Sequence, residues 1–258
     1  MARCITHVLA KGTAFPGNVD SQVVNVLPQM AQLKRMALDL LFPSHCINCG
    51  REGEFICEHC RPLLTFISTP VCTKCGRPIL TGQACSRCVE EWNDIDGVRA
   101  PFSFEGLVRK SIHELKYRNI RALAATLALF MYECLQNNNL AADVIIPVPL
   151  HPKRLRERGY NQSSLLAREL GKLCGIPVVE NLLIKCLHTR PQAQSLGVDE
   201  RRQNIKNAYK CVDKRYEGNS ILLVDDVTTS GSTLNACASE LKSTGVVSVW
   251  GLVTAIEL

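Results

Sequence analysis

Aromatic residues are scarce in this sequence: Phe, Trp and Tyr make up 5% of 258 residues, and only two are tryptophan. Long apolar runs are missing too, so no segment reads as a membrane-spanning helix. The first 30 residues lack a compact apolar stretch leading to a small-residue cleavage site, which argues against an export signal and for the cytoplasm. Neither GxxxxGKS nor GxxxxGKT occurs, which excludes a Walker A loop. With 46% hydrophobic and 21% charged residues, 16 Gly and 12 Pro, the composition also excludes disordered and collagen-like chains.

Cysteine, by contrast, is abundant. Eight of the 14 cysteines form four CxxC pairs: Cys46/Cys49, Cys57/Cys60, Cys72/Cys75 and Cys85/Cys88. Crowded into one stretch without an export signal, they do not read as a secreted disulfide scaffold. Zinc takes four soft donors in a tetrahedron and a CxxC turn offers two thiolates, so four turns predict two structural zinc ions. Sequential pairing leaves seven and nine residues between the inner cysteines, enough for short hairpins, and interleaved pairing also satisfies the metal. Gly50 and Gly76 follow the second cysteine of a pair, where a knuckle turn needs positive φ. His45 and His59 flank the cysteines as substitute ligands. Four thiolates leave no open position for a catalytic water.

Charge is uneven along the chain. Residues 30–100 carry eight Lys/Arg against eight Asp/Glu, whereas 101–258 carry 20 against 15. The basic stretch Lys153, Arg154, Arg156 and Arg158 suits phosphate-bearing partners, although such runs are commonly solvated faces.

Residues 1–30 read as a loose extension, and 32–41 as a short amphipathic helix. After the cysteines, strands are expected at 97–105, 143–148, 178–179, 221–225 and 246–256. Helices are expected at 107–137, with a break around Tyr117–Asn119, and at 163–173 and 232–243. This alternation predicts an α/β fold with a mostly parallel sheet flanked by helices, and a ligand crevice beyond the carboxyl ends of its strands.

One stretch is especially informative. Residues 221–234, ILLVDDVTTSGSTL, run from an apolar strand through two carboxylates and a hydroxyl-rich turn into a helix. A helix N-terminus presents N–H groups and partial positive charge to a phosphate. Thr228, Thr229, Ser230 and Thr233 add hydroxyls, and Gly231 permits close backbone approach. Asp225 and Asp226 can accept from vicinal hydroxyls, so the stretch suits a ribose 5-phosphate. An ordinary capped junction needs no paired aspartates. A response-regulator receiver opens a domain of a hundred-odd residues with such a strand, and here 32 residues follow Asp226.

VDDVTTSGST resembles the phosphoribosyl pyrophosphate signature of type I phosphoribosyltransferases. Residues 147–162, PVPLHPKRLRERGYNQ, are similar to the central motif of the ComF (GntX-like) family of competence proteins. The resemblance runs from about Leu38 to the end of the chain, cysteine-rich head included. It implies a double zinc ribbon at 31–95 and a phosphoribosyltransferase-like domain at 96–258. Asp225 and Asp226 would then meet the ribose hydroxyls, and Thr228, Thr229, Ser230, Gly231, Ser232 and Thr233 would hold the 5-phosphate. Pro149, Leu150, His151 and Arg154 would lie near the pyrophosphate, which brings magnesium, with Arg156 and Arg158 in the same motif. Residues 189–194 with Arg190, together with Arg201 and Asn204, match a mobile loop of the family. Lys116-Tyr117-Arg118 matches a further stretch, but Asn119 stands where the family usually has Gly.

Two functions follow from the resemblance, both within DNA uptake during natural transformation. One is magnesium-dependent phosphoribosyl transfer to an acceptor, with the zinc module or the segment after it as the acceptor-recognising hood. The other is a non-catalytic module that holds single-stranded DNA or a nucleotide, with partners in the uptake machinery. The second needs exposed aromatic platforms for bases, and Trp92, Tyr117 and Tyr160 are the candidates.

Overall fold

The computed structural model describes residues 44–80, 83–92, 94–186 and 208–258. The extension, the helix expected at 32–41, Arg190 and the rest of the expected mobile loop lie outside these residues. His45–Leu258 form one compact unit.

Its centre is a parallel sheet built from β1 (Gly97–Arg99), β2 (Phe102–Ser103), β3 (Val144–Pro147), β6 (Ser220–Thr228) and β7 (Ser248–Ile256). The order is β1-β7-β6-β3, with β2 also on β7. The single strand expected at 97–105 is thus divided. Pro101, which has no N–H to give a ladder, sits between the two pieces. Val178 makes one parallel bridge to Ile145, the remnant of the strand expected there. A small antiparallel pair, β4 (Leu183–Lys185) with β5 (Tyr209–Cys211), was not foreseen.

Helices α2 (Gly106–Tyr117), α3 (Leu123–Asn137) and α5 (Gln162–Cys174) pack on one face of the sheet, and α6 (Ser232–Lys242) on the other. Each buries an apolar stripe at helical spacing, such as Leu107, Val108, Ile112 and Leu115 of α2. Between α2 and α3 the chain turns at Asn119, whose φ of 59° is left-handed. Asn is, with Asp, among the few non-Gly residues that visit that region, so the turn forms here without glycine.

Side chains alternate across β6: Leu222 and Val224 enter the α2–α3–α5 core, and Ile221 and Leu223 the α6 core. The cysteine-rich head joins both. Cys46, Cys57 and Cys60 belong to the first core, and Cys72, Cys75 and Cys88 to the second. The head therefore straddles the sheet, one knuckle to each face. No helix among the described residues is long and apolar enough to cross a membrane.

Candidate functional site

Strand β3 stops at Pro147, opposite Val224, whereas β6 continues four residues further, to Thr228. On its other side β6 stays paired, Thr228 lying opposite Ile256 of the equally long β7. A notch therefore opens beyond the tip of β3, at the carboxyl end of the sheet, where parallel sheets place ligands. The expectation that the strand ends at Asp225 is corrected, because the β7 ladder carries the extended conformation through both acids.

Being adjacent in a strand, Asp225 and Asp226 face opposite sides of the sheet. Asp226 is 3% exposed. Its Oδ1 takes an ion pair from Lys116 Nζ of α2 at 2.8 Å, and its buried Oδ2 has no hydrogen-bond partner. Asp225 is half-buried; its Oδ1 accepts from Ser163 Oγ at 2.7 Å and from the Asp226 N–H at 2.9 Å. Burial, helped by the neighbouring Asp226 carboxylate, pushes Asp225 up to about 7. Lys185 and Tyr209 of the unforeseen pair stand on the Asp225 side. Lys185 Nζ donates to the Tyr209 hydroxyl at 2.9 Å, and burial, the leading cause, holds the lysine below its ordinary value.

Past Thr228, which is buried, Thr229 and Ser230 are exposed and lead into α6. Ser230 Oγ accepts from the Ser232 N–H at 3.3 Å, and the two serine hydroxyls lie 2.8 Å apart. Gly231 has φ 77°, a left-handed conformation that suits glycine. What approaches it is Trp92, since a Cβ at Gly231 would stand 1.7 Å from the indole Cζ2.

On the other wall of the notch, the turn after β3 holds Pro149 and Leu150 half-buried. Asn161 Nδ2 ties this turn down by donating to the Val148 carbonyl at 2.9 Å. His151 caps α4 (Pro152–Arg158) by accepting from the Lys153 N–H at 3.1 Å. One face of this short helix, with Arg154, Glu157 and Arg158, lines a cavity of about 500 Å³ together with Lys116, Tyr117, Asn119 and Tyr160, three cations against one carboxylate. Arg154 and Arg158 thus converge with Lys116. Arg156 is exposed and does not line that cavity. Two expected platforms need correction: Trp92 is 4% and Tyr160 8% exposed. Tyr160 is held by a hydrogen bond to the Leu115 carbonyl and by Arg121 over its ring. Tyr117 is open, at 64%, with Arg158 over its face.

The cysteines assemble sequentially, Cys46/Cys49/Cys57/Cys60 and Cys72/Cys75/Cys85/Cys88, with each set's sulfurs within 4.8 Å of one another. His45 and His59 join neither cluster. A zinc–sulfur bond of about 2.3 Å sets tetrahedral sulfurs about 3.8 Å apart. The Cys49–Cys57 and Cys75–Cys85 pairs stand at 3.5 Å and 4.0 Å, so both sets fit the ion. Gly50 and Gly76 take the expected positive φ, 75° and 73°. Burial opposes ionisation of Cys72, yet the N–H groups of Cys85, Cys75 and Lys74 bring its thiol down to about 6, whereas burial holds the Cys75 and Cys88 thiols of the same set above their ordinary value.

Ser163, Lys185 and Tyr209 escaped the reading of site residues from the sequence. Ser163 follows directly on the Asn161-Gln162 end of the central motif, a signal that was present. Lys185 and Tyr209 are 24 residues apart and belong to no motif.

Residues 37–89 match the double zinc ribbon family model. The chain is similar to competence protein F of Haemophilus influenzae, 31% identical over 230 residues, covering 83% of this chain and 98% of that one. It is also similar to the DNA utilization protein YhgH of Escherichia coli O157:H7, 29% identical over 234 residues, covering 88% and 97%. Among solved structures, the Bacillus subtilis glutamine phosphoribosylpyrophosphate amidotransferase matches with TM-score 0.37 and 20% identity, covering 51% of this chain and 26% of that one.

Proposed function

The chain belongs to the competence protein F (ComF) family, and from that premise we propose that it serves DNA uptake in natural transformation through a site for phosphoribosyl pyrophosphate or a related 5-phosphoribosyl ligand. The observation that carries this reading is Asp226 Oδ2, a buried acceptor with no partner, on the strand segment that overhangs β3 and runs into the hydroxyl-rich loop. A buried carboxylate oxygen left unpaired is costly in a finished structure and is expected where a ligand supplies the donor.

In this reading the ribose lies against the edge of β6 left open beyond β3, where its vicinal hydroxyls reach Asp226 from one face of the sheet and Asp225 from the other. The 5-phosphate lies against Thr229, Ser230, Ser232 and Thr233, and the first turn of α6 offers it N–H groups. Arg154 and Arg158 face the pyrophosphate and stabilise negative charge as it leaves C1, with Lys116 at the junction between the basic cavity and the acids. When bound with the pyrophosphate, magnesium supplies further neutralisation of the leaving group. Transfer of the phosphoribosyl group to an acceptor is the chemistry this arrangement serves. Both cysteine sets hold structural zinc. Holding single-stranded DNA is the weaker reading, because Trp92 and Tyr160 are buried and the exposed Tyr117 ring already has Arg158 and His113 against it.

The test is a calorimetric titration of magnesium–phosphoribosyl pyrophosphate into wild type and an Asp225→Asn, Asp226→Asn double variant. Saturable binding that the variant loses supports the assignment; equal binding by both removes these acids from the site. Pyrophosphate release separates enzyme from module. If no base or amine elicits release, while oligonucleotides bind in a salt-sensitive way, the module reading stands.

A further inference from the structure

The second cysteine knuckle reaches the hydroxyl-rich loop at two points, and the segment after it reaches α6 at a third. Arg77, two residues past Cys75, sends its guanidinium across 152 residues of sequence to the Thr229 carbonyl. Its Nε and Nη2 also donate to the Glu257 carbonyl, at 3.1 and 3.0 Å. Arg77 itself is fixed by the knuckle, because its carbonyl accepts from the Cys72 N–H at 2.8 Å. Trp92, four residues past Cys88, closes α1 (Ser86–Glu91) by donating its N–H to the Cys88 carbonyl at 3.1 Å. Its buried ring then lies flush on Gly231, the cap of α6, at a distance that admits no Cβ. Just beyond, the N–H groups of Asp94 and Ile95 both donate to Asn235 Oδ1 of α6 at 3.3 Å. The first knuckle lies in the core on the opposite face of the sheet.

We propose that Arg77 and Trp92 are positioning residues for the Thr229–Gly231 loop, and that they couple the metal of the second knuckle, and not of the first, to the ligand held by that loop.

The physical argument is one of preorganisation. A small cysteine knuckle takes its shape from its metal, so the places of Arg77 and Trp92 depend on it. A phosphate is held by donors that stand in position before it arrives. Arg77 fixes the backbone at Thr229, and Trp92 keeps Gly231 in its left-handed conformation, from which the first turn of α6 begins. Coupling between two sites is reciprocal: if the metal favours the loop conformation that binds phosphate, the phosphate ligand favours the metal.

The inference rests in part on the phosphoribosyl reading, so its test has one readout that needs that ligand and one that does not. The full chain is compared with Arg77→Ala, Arg77→Lys, Trp92→Ala and Trp92→Phe variants, each assayed for zinc content. Hydrogen–deuterium exchange is followed at the amides of residues 229–235, without ligand. The Ala variants should retain two zinc ions and exchange these amides at least tenfold faster, while β7 is unchanged and Trp92→Phe restores most of the protection. Calorimetry with magnesium–phosphoribosyl pyrophosphate should show a tenfold or greater loss of affinity in the same variants. In wild type the ligand should slow chelator extraction of one zinc ion of the two, and this protection should vanish in Arg77→Ala. Wild-type exchange at 229–235 in both Ala variants overturns the proposal, as does ligand protection of both zinc ions or of neither in a protein that binds the ligand. If wild type does not bind the ligand, the phosphoribosyl reading fails, and the exchange result alone decides the positioning role.

Discussion

Lys116 Nζ stands 2.8 Å from Asp226 Oδ1, and this ion pair joins the last turn of α2 to the acidic end of β6. Both partners are largely withdrawn from water, the lysine side chain at 21% and the aspartate at 5% exposure. Removing one member of such a pair leaves a buried charge without compensation.

Lys116→Met is therefore expected to destabilise the protein by about 2–3 kcal/mol, toward the low end for buried pairs because the lysine keeps some solvent. Lys116→Met with Asp226→Asn should regain most of that loss, since the double change leaves no lone charge. Denaturant unfolding of the two single variants and the double closes the cycle. Additive losses in the double variant would mean that the two side chains do not stabilise each other.

Much of this site is legible in the sequence, for reasons that also mark where legibility stops. The apolar run from Ile221 to Val224 announces a buried strand, and the Thr/Ser/Gly turn after it announces a helix start. The length of β6 is not local information. It depends on β7, which lies over 20 residues downstream and pairs as far as Thr228. Trp92, flanked in sequence by Glu90, Glu91, Asn93 and Asp94, reads as exposed; its burial is decided by Gly231, far along the chain. Lys185 and Tyr209 enter the site only because a two-stranded pair brings them together beside Asp225. At Asn119, where the resemblance leads to an expectation of Gly, the short polar side chain lets the residue take a left-handed backbone.

The raised Asp225 carboxyl makes stability depend on pH in a defined direction. Unfolded, the group ionises near its ordinary value of about 3.9; folded, it ionises at about 7. Between those values the folded state binds the extra proton, so its contribution is complete at low pH and falls as pH rises through 7. Asp225→Asn removes this dependence while keeping an oxygen to accept from Ser163. The variant should gain stability relative to wild type as pH rises from 5 to 7, with the gap constant above about 8. Denaturant midpoints at four or five pH values check this, and a gap that does not change with pH would place the Asp225 carboxyl near its ordinary value.

The cysteine clusters predict two zinc ions per chain by elemental analysis of protein purified without added metal. Cys49→Ala and Cys85→Ala should each retain one, because each set draws its four sulfurs from its own pair of turns. A wild-type content of one ion or none would defeat the double-ribbon assignment.

Gly231 is the position where the sheet, the loop and the cysteine-rich head meet, and its substitution separates two costs. Gly231→Ala places a Cβ on a backbone with φ 77°, a strain of roughly 1–2 kcal/mol for a non-glycine residue. The same Cβ would stand 1.7 Å from Trp92 Cζ2, so the indole must move or the loop must shift, an overpacking cost of about 1–3 kcal/mol. Trp92→Ala alone empties the space over the loop and loses the buried ring, at about 3–5 kcal/mol. In the double variant the strain at residue 231 persists, but the collision is gone. The two losses should therefore fall short of additive by about the overpacking cost, as measured by equilibrium unfolding of the single and double variants. Strict additivity would mean that the indole does not rest on this glycine in solution, and the contact between the second knuckle and the loop would have to be drawn through Arg77 alone.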